Sequence, residues 1–352
     1  MYRKELEDME ILSSSSLPFK EYQNAVFLVT GATGLIGSLI VKNLLFCNKR
    51  HNLGLKIVAV VRNVQKAEKI LKDFKDDSSL IFELCDLLNE KIKYKGKIDY
   101  IIHTAAVTQS RLMVEKPVET VQLSLYSTDR LLDLAAKRQV RCFLYVSSME
   151  VYGIMEKNEK VGEHELGYID LESVRSCYPE SKRMCELLCN SYAAEYNVPV
   201  KIARLAQTFG AGILESENRV FAQFARSVLK GKDIVLHTKG ESEGNYVYTR
   251  DAIKAIFILL ANKEKTGTYN ISNESSHTTI AKLAGFVARE IGEDCIKVVY
   301  DIPENSESYG YAPDTKLFLD SAKMRQLGWQ PEVGLKESFM RMMEDLAEME
   351  KE

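Results

Sequence analysis

The chain predicts an α/β fold, with a doubly wound parallel sheet followed by a smaller C-terminal lobe. Three observations predict it. A continuous apolar run over 25–30 (AVFLVT) breaks at Gly31 into a glycine-rich turn and then into a helical stretch. Short apolar strands and helical stretches then alternate up to about Ser147. The length of 352 residues, 45% of them hydrophobic, is enough for about two domains at roughly 150 residues each, with a cleft between them.

Residues 1–24 open with the charged stretch YRKELEDMEIL and run through Ser13-Ser14-Ser15-Ser16 to Pro18. They read as a surface appendage with a flexible serine joint. The run over 25–30 suits a central strand buried on both faces. A helix is expected over 35–46, a strand over 56–61 and a helix over 65–74. Strands over 80–84 and 100–103 follow, then a helix over 118–138 and a strand over 142–147. This first, dinucleotide-binding domain is drawn over 25–205. Residues 206–352 are expected to form mainly a substrate-binding lobe, with helices near 220–229, 252–261 and 279–291. The segment at about 243–262 is expected to return to the first domain. Residues 310–320 read as a loop and short strand ahead of Leu327-Gly328-Trp329 and a charged terminal helix.

Composition removes several function classes. With 47 Lys+Arg against 50 Asp+Glu the net charge is −3, and a phosphate-backbone binder needs a basic face, so no nucleic-acid partner is expected. The longest apolar run, over 255–261, is far short of the roughly 20 residues that span a bilayer, so no membrane is expected. Seven cysteines (47, 85, 142, 177, 185, 189, 295) contain no CxxC pair and no secretory leader is read, which points to a reduced, cytoplasmic compartment. Five histidines (51, 103, 164, 237, 277) include no i,i+4 pair, and no metal site is expected.

The first motif is Thr30-Gly31-Ala32-Thr33-Gly34-Leu35-Ile36-Gly37, set between a strand and a helix. Gly31 permits the tight turn, Gly34 lets the backbone approach a pyrophosphate, and Gly37 lets the helix pack closely. The helix N-terminus then presents N–H groups to phosphate, so Gly31, Thr33, Gly34, Leu35, Ile36 and Gly37 are expected to bind a dinucleotide. The second strand ends in Val60-Val61-Arg62-Asn63, without the acid that usually receives the adenosine ribose. Arg62 either pairs with a 2′-phosphate or is a solvated strand-end arginine; the cofactor is NAD or NADP, leaning to NADP. Asp86 and Leu87, after the third strand, would lie near adenine, although an Asp there is also an ordinary turn former.

The second motif is Tyr178-Pro179-Glu180-Ser181-Lys182. Its i,i+4 spacing puts phenol and ammonium on one helix face. A phenol near pKa 10 is a poor base at neutral pH, and a nearby Lys+ is expected to lower that value. Tyr178 could then take a hydroxyl proton as hydride leaves the same carbon. The third motif, Ser147-Ser148-Met149-Glu150, closes a strand; Ser148 can hydrogen-bond a hydroxyl or keto oxygen, and Glu150 is a second acid/base candidate.

With these motifs in this order the chain resembles the extended short-chain dehydrogenase/reductases, specifically the NAD-dependent epimerase/dehydratase family that acts on nucleotide sugars. The similarity runs from about Val26 to the C-terminal helix. It includes His103-Thr104-Ala105-Ala106, Arg204 to Gly210, Asn245 to Asp251 and Leu327 to Pro331. The resemblance implies a Rossmann-type fold and a tightly held cofactor. It implies transient oxidation of a sugar carbon to a ketone, after which elimination, decarboxylation or inversion becomes possible and hydride returns. Tyr178 would be the catalytic base, Lys182 its ribose-binding partner and Ser148 the residue orienting the hydroxyl. Ala105 would border the cofactor, and Thr108, Ser148, Gln207, Asn218, Arg219 and Asn245 the substrate.

Glu150 matches a Glu of family dehydratases and decarboxylases, but Met149 stands where dehydratases carry an Asp and cannot donate a proton. Gly244 stands where an Arg commonly grips the diphosphate, Gln207 and Ser124 where Asn is usual. Arg219 either supplies the missing charge or is an exposed helix-start residue. A reductase or dehydrogenase that releases its cofactor is the alternative, and a non-catalytic cofactor-binding regulator a third. A homodimer is expected through the helix over 118–138 and the one after Tyr178, whose Met184, Leu187 and Leu188 could instead be plain core.

Overall fold

The computed structural model describes residues 1–155, 159–264, 266–302 and 314–351. The chain opens with α1 (Arg3–Ser14), then β1 (Val26–Thr30), α2 (Leu35–His51), β2 (Lys56–Val61), α3 (Val64–Ile70), β3 (Leu80–Leu84) and β4 (Tyr100–His103). It continues with α4 (Ser110–Glu115), α5 (Pro117–Arg138), β5 (Cys142–Ser148), α6 (Cys177–Tyr196), β6 (Val200–Leu205) and β7 (Gln207–Phe209). The remainder runs α7 (Val220–Leu229), β8 (Ile234–Leu236), β9 (Glu243–Tyr248), α8 (Thr249–Ala261), β10 (Gly267–Ile271) and β11 (Asn273–Thr279). It closes with α9 (Ile280–Phe286), β12 (Val298–Tyr300), α10 (Ala322–Gln326) and α11 (Leu335–Met349).

Seven strands form one parallel sheet in the order β3-β2-β1-β4-β5-β6-β10. The order reverses direction between β1 and β4, and the crevice beyond the C-terminal ends of those strands is where a doubly wound sheet holds its ligands. Alternate strand residues feed two cores. Leu28, Val58, Ile101, Phe143 and Ile202 pack with Leu131, Leu132, Cys185 and Cys189 of α5 and α6. Phe27, Val29, Ile57, Ile102 and Leu144 pack with α2 and α8 on the other face. The smaller lobe has its own core, in which Phe209, Phe221, Phe224, Leu283 and Phe339 join α7, α9 and α11 to the three-stranded sheet β11-β9-β7. Both α8 and β10 belong with the large sheet, the second as its edge strand.

The N-terminal stretch is not an appendage. In α1, Met9 and Leu12 are buried, and so are the acids Glu5 and Asp8. Lys42 of α2 reaches Glu5 at 2.6 Å, while Arg250 of α8 and Arg341 of α11 reach Asp8 at 3.0 and 2.7 Å. Nor is the serine run a free joint throughout, since Ser13 is buried and its hydroxyl donates to the Glu10 carbonyl. Of the loop and strand expected over 310–320, residues 310–313 lie outside the described residues. The part from Asp314 contributes a bridge from Lys316 to Glu243 and another from Leu319 to Val161. Among the described residues, no helix is long and apolar enough to cross a membrane.

Candidate active site

The turn after β1 forms as its glycines require. Gly31 has φ +65°, and a Cβ there would stand 2.8 Å from the backbone nitrogen of Ala105 after β4. A Cβ on Gly37 would stand 2.2 Å from the Gly31 carbonyl oxygen, so only glycine lets the first turn of α2 sit against the loop. Gly34 meets only the Gly31 oxygen, at 3.3 Å, and as the N-cap of α2 provides no side chain to the helix. An open backbone and an uncapped helix start fit a dinucleotide pyrophosphate. Thr33, Leu35 and Ile36 lie in this turn; Thr33 and Ile36 are half-buried and Leu35 enters the core.

His103, beneath the turn, is buried and bonds Thr30 Oγ1 at 2.7 Å through Nδ1 and Thr128 Oγ1 at 3.2 Å through Nε2. Burial, with the Lys182 charge, pulls its pKa down to about 3, so the ring is a neutral tie between β1, β4 and α5.

Tyr178 and Lys182 lie in the first turns of α6, whose start tolerates Pro179 because early helix N–H groups lack intrahelical partners. Ser148 ends β5 beside the Tyr178 phenol, and its hydroxyl accepts from the Glu150 N–H at 3.2 Å. Lys182 Nζ donates to the Val146 carbonyl at 2.8 Å and lies 4.6 Å from the Tyr145 ring centroid and 5.8 Å from that of Tyr178. The expected lowering of the phenol is not what the free protein shows. Burial pushes Tyr178 up to about 12 and the Glu150 carboxylate adds to the rise, outweighing the nearby Ser148 hydroxyl and the Arg219 and Arg175 charges. Burial likewise pulls Lys182 down to about 8, against the opposing influence of Cys185, Glu186, Cys189 and Glu150.

Glu150 is held by Arg175, whose Nη2 stands 2.9 Å from its carboxylate. Arg175 was not among the sequence candidates, and no motif spacing marks it. Its side chain is nearly buried, and its Nε has no hydrogen-bond partner among the described residues.

Other expected residues divide. Arg62 is exposed at the tip of β2, beside Asn63, which caps α3. The Asp86 carboxylate accepts from the Leu88 N–H at 3.2 Å and the Asn89 amide at 2.7 Å, the turn-forming alternative, and Leu87 is core. Ala105 borders the Gly31 turn, and Thr108 is exposed in the loop that leads to α4. Gln207 is half-buried in β7. Arg219 is paired with Glu217 at 2.6 Å, so its charge is largely compensated, and Asn218 is exposed beside it. Asn245 must be corrected: it is fully buried, its amide donates to the Asn273 carbonyl at 3.2 Å and its oxygen accepts from the Leu319 N–H at 2.8 Å. Both of its polar groups are thus engaged in holding the lobe together. Ser124 is buried on α5 and donates to the Thr120 carbonyl. Among the described residues no group of three or more His, Cys, Asp or Glu is placed to hold a metal ion.

The model of the NAD dependent epimerase/dehydratase family matches residues 27–272, more than two thirds of the chain. The chain is 29% identical over 324 residues to UDP-glucuronic acid decarboxylase 6 of Arabidopsis thaliana, covering 92% of this chain and 89% of that one. Its fold is shared by the UDP-glucuronic acid 4-epimerase of Bacillus cereus, solved with UDP-glucuronic acid and NAD (TM-score 0.75, 20% identity, covering 92% and 99% of the two chains). It is also shared by the dTDP-glucose 4,6-dehydratase DesIV of Streptomyces venezuelae (TM-score 0.74, 23% identity, covering 92% and 97%). With the strand-turn-helix cradle and the Ser148, Tyr178 and Lys182 cluster at one end of the sheet, the chain belongs to the NAD dependent epimerase/dehydratase family of enzymes.

Proposed function

We propose that this enzyme modifies a nucleotide-diphosphate sugar by transient oxidation of a ring carbon to a ketone. The observation that carries the proposal is the cluster itself: the Lys182 ammonium lies 5.8 Å from the centroid of the Tyr178 ring one helical turn before it, and Ser148, two residues before Glu150, stands beside the phenol. A bound nicotinamide supplies the hydride acceptor. Tyr178 must first lose its own proton, since burial raises the phenol in the free protein; the phenolate, favoured by the Lys182 ammonium beside it, then takes the hydroxyl proton while Ser148 orients the oxygen. The ketone acidifies the neighbouring C–H bond, and Glu150, steadied by Arg175, takes that proton; a carboxylate on the same carbon would instead leave as carbon dioxide, its bonding pair passing into the enolate, which is then reprotonated. The unpartnered Nε of Arg175 suits a carboxylate on the sugar, and the relatives named as UDP-glucuronic acid decarboxylases make a UDP-hexuronic acid the first substrate to try.

On this reading Arg62 favours NADP over NAD, since β2 ends without a carboxylate. A homodimer through α5 and α6 is supported by exposed Val118, Tyr126, Met184, Leu187 and Tyr196 on those helices. All seven cysteines are free, which suits a reducing compartment such as the cytoplasm. A net reductase is the second reading, favoured by Met149, which offers no proton to a leaving group. Incubation with a panel of nucleotide sugars, following NAD(P)H absorbance and product by NMR, separates them. Product without net cofactor change supports the proposal, and stoichiometric cofactor change supports the reductase. A protein that binds the cofactor but converts no nucleotide sugar overturns both.

A further inference from the structure

Behind the catalytic cluster is a second polar assembly that the chemistry above does not use. Glu186 lies on α6 one turn beyond Lys182, and Arg204 lies on β6; both are almost fully buried. The guanidinium grips the carboxylate with two edges: Nε lies 3.0 Å from Oε1 and Nη2 lies 2.6 Å from Oε2. Ser147, the neighbour of Ser148, donates its hydroxyl to the same carboxylate at 2.6 Å. The other arm of Arg204 donates to the Tyr152 hydroxyl at 3.0 Å and to the Glu163 carbonyl at 2.9 Å, and Tyr152 donates to Asn270 of β10 at 2.7 Å. Neither Glu186 nor Arg204 has a buried polar atom left without a partner.

A buried ion pair of this kind adds little net stability over an apolar pair of equal volume, because both charges lose their water. What a bidentate pair does supply is geometry: two parallel hydrogen bonds fix both distance and rotation. Here they fix α6 against the ends of β5 and β6. Tyr178 and Lys182 ride on α6, whereas Ser148 and the Val146 carbonyl ride on β5. Any slide or twist between these elements would part the phenol from Ser148 and the ammonium from Val146.

We propose that Glu186, clamped by Arg204 and Ser147, is a positioning residue that sets the Tyr178 and Lys182 side chains against Ser148. It also acts on the lysine through its charge. Lys182 is faced by Tyr178, Cys185, Glu186 and Cys189 from its own helix, by His103 from β4, by Tyr145 from β5 and by Glu150 from the turn after β5. His103 is neutral, and of the two carboxylates that face Lys182, Glu186 raises its pKa more than Glu150 does. Its carboxylate therefore helps keep the buried ammonium protonated.

This inference rests on Tyr178 and Lys182 being the catalytic pair, but its test does not need the substrate to be known. Lysine labelled with 13C at Cε is followed by NMR through a pH titration, the Lys182 signal being assigned with Lys182→Arg. Glu186→Gln should move the Lys182 titration to lower pH by roughly half a unit or more, because the neighbouring negative charge is lost. Where turnover is measurable, kcat should fall roughly tenfold or more, the effect of misplaced catalytic groups, with substrate KM and cofactor affinity within about threefold. The alkaline limb of the kcat profile should move with the lysine.

If Glu186→Gln does not fold, the paired Glu186→Leu/Arg204→Met variant takes its place; the two lost charges offset, so its Lys182 titration should move less, but the Lys182 resonance, from a side chain whose ammonium lies 4.6 Å from the Tyr145 ring centroid, should shift as the side chain is released, and kcat should fall as before. An unchanged Lys182 titration in folded Glu186→Gln, or an unmoved Lys182 resonance in the paired variant, overturns the inference whatever the substrate proves to be. An unchanged kcat in a folded variant of an active parent overturns it as well. Failure of the parent itself on every nucleotide sugar would count against the proposed function, not against the clamp.

Discussion

Met149 closes over Gly244: a Cβ on residue 244 would stand 2.9 Å from Met149 Cε, and Met149 is buried. Two of the positions read in the sequence as departures from the family pattern are therefore in contact. The thioether fills space that a larger side chain at 244 would need. Met is flexible, so Gly244→Ala should be absorbed by a rotamer change at about 1 kcal/mol or less. Gly244→Arg should cost about 1–3 kcal/mol, and Met149→Ala should recover much of that loss. Thermal melts of the two single variants and the double variant measure the coupling; strict additivity would mean that the side chains do not compete.

Tyr178→Phe removes only the proton acceptor. Turnover should fall by at least the 10²–10⁴-fold typical of a general base, roughly, while cofactor affinity stays within a few fold. On the proposed reading, in which the ammonium serves both the phenol and the cofactor ribose, Lys182→Met should damage both. Fluorescence titration of the cofactor beside steady-state rates checks each. A Lys182→Met enzyme that binds cofactor normally loses the ribose role.

Arg62 tests the cofactor. If it pairs with a 2′-phosphate, Arg62→Ala should weaken NADP by about 1.5–3 kcal/mol and leave NAD nearly untouched. Equal effects on the two, or none, would make Arg62 a solvated strand-end residue.

What was legible in the sequence is what is local. The Gly31 to Gly37 turn forms where the sequence places it because its strand, its glycines and its helix are contiguous, and Tyr178 and Lys182 come together because a helix brings i and i+4 onto one face. Arg175 was missed because its partner Glu150 belongs to a different loop, and nothing in either segment announces the other. The burial of α1 was hidden for a related reason. Its inward face carries Glu5 and Asp8 beside Met9 and Leu12, so it looks solvated until Lys42, Arg250 and Arg341 arrive from distant helices. Asn245 looked like a ligand from its motif, but a side-chain amide satisfies loop backbone as readily as substrate.

The helix α1 also gives the fold a pH dependence. Asp345 of α11 is fully buried and accepts from the Lys4 and Gly212 N–H groups at 3.0 and 2.9 Å. Burial pushes its carboxyl up to about 7, against those two hydrogen bonds and with help from Glu5 and Glu348. An acid whose folded value exceeds its unfolded value, about 3.9, binds its proton more tightly when folded. Its contribution is therefore most favourable below about pH 4 and declines as pH rises to about 7. Asp345→Asn cannot titrate, so the loss of denaturation midpoint between about pH 5 and 7 should be smaller than in the parent. Parallel slopes for parent and variant would show that Asp345 is ionised throughout.

On the proposed reading, proton removal beside the ketone rests on Glu150. A carboxylate beside a transient ketone can remove the proton from the adjacent carbon, and a general base of this sort contributes about 10²–10⁴-fold in rate. Glu150→Gln keeps the shape and can still accept a hydrogen bond from Arg175, but it cannot take that proton. It should suppress inversion or elimination beside the ketone by about that factor. Partial reduction of bound cofactor by substrate should survive, because that step needs only Tyr178, Lys182 and Ser148. Decarboxylation distinguishes itself here: loss of carbon dioxide from a β-keto acid requires no proton abstraction at the neighbouring carbon, only reprotonation afterwards. A decarboxylase would then show a smaller loss of carbon dioxide release than of solvent deuterium exchange at that carbon. Arg175→Met, which frees Glu150 and removes the donor suited to a sugar carboxylate, should raise KM for an acidic sugar more than for a neutral one. Unchanged turnover and exchange in Glu150→Gln would make the Glu150 and Arg175 pair structural and shift the chemistry to net reduction or simple 4-epimerisation.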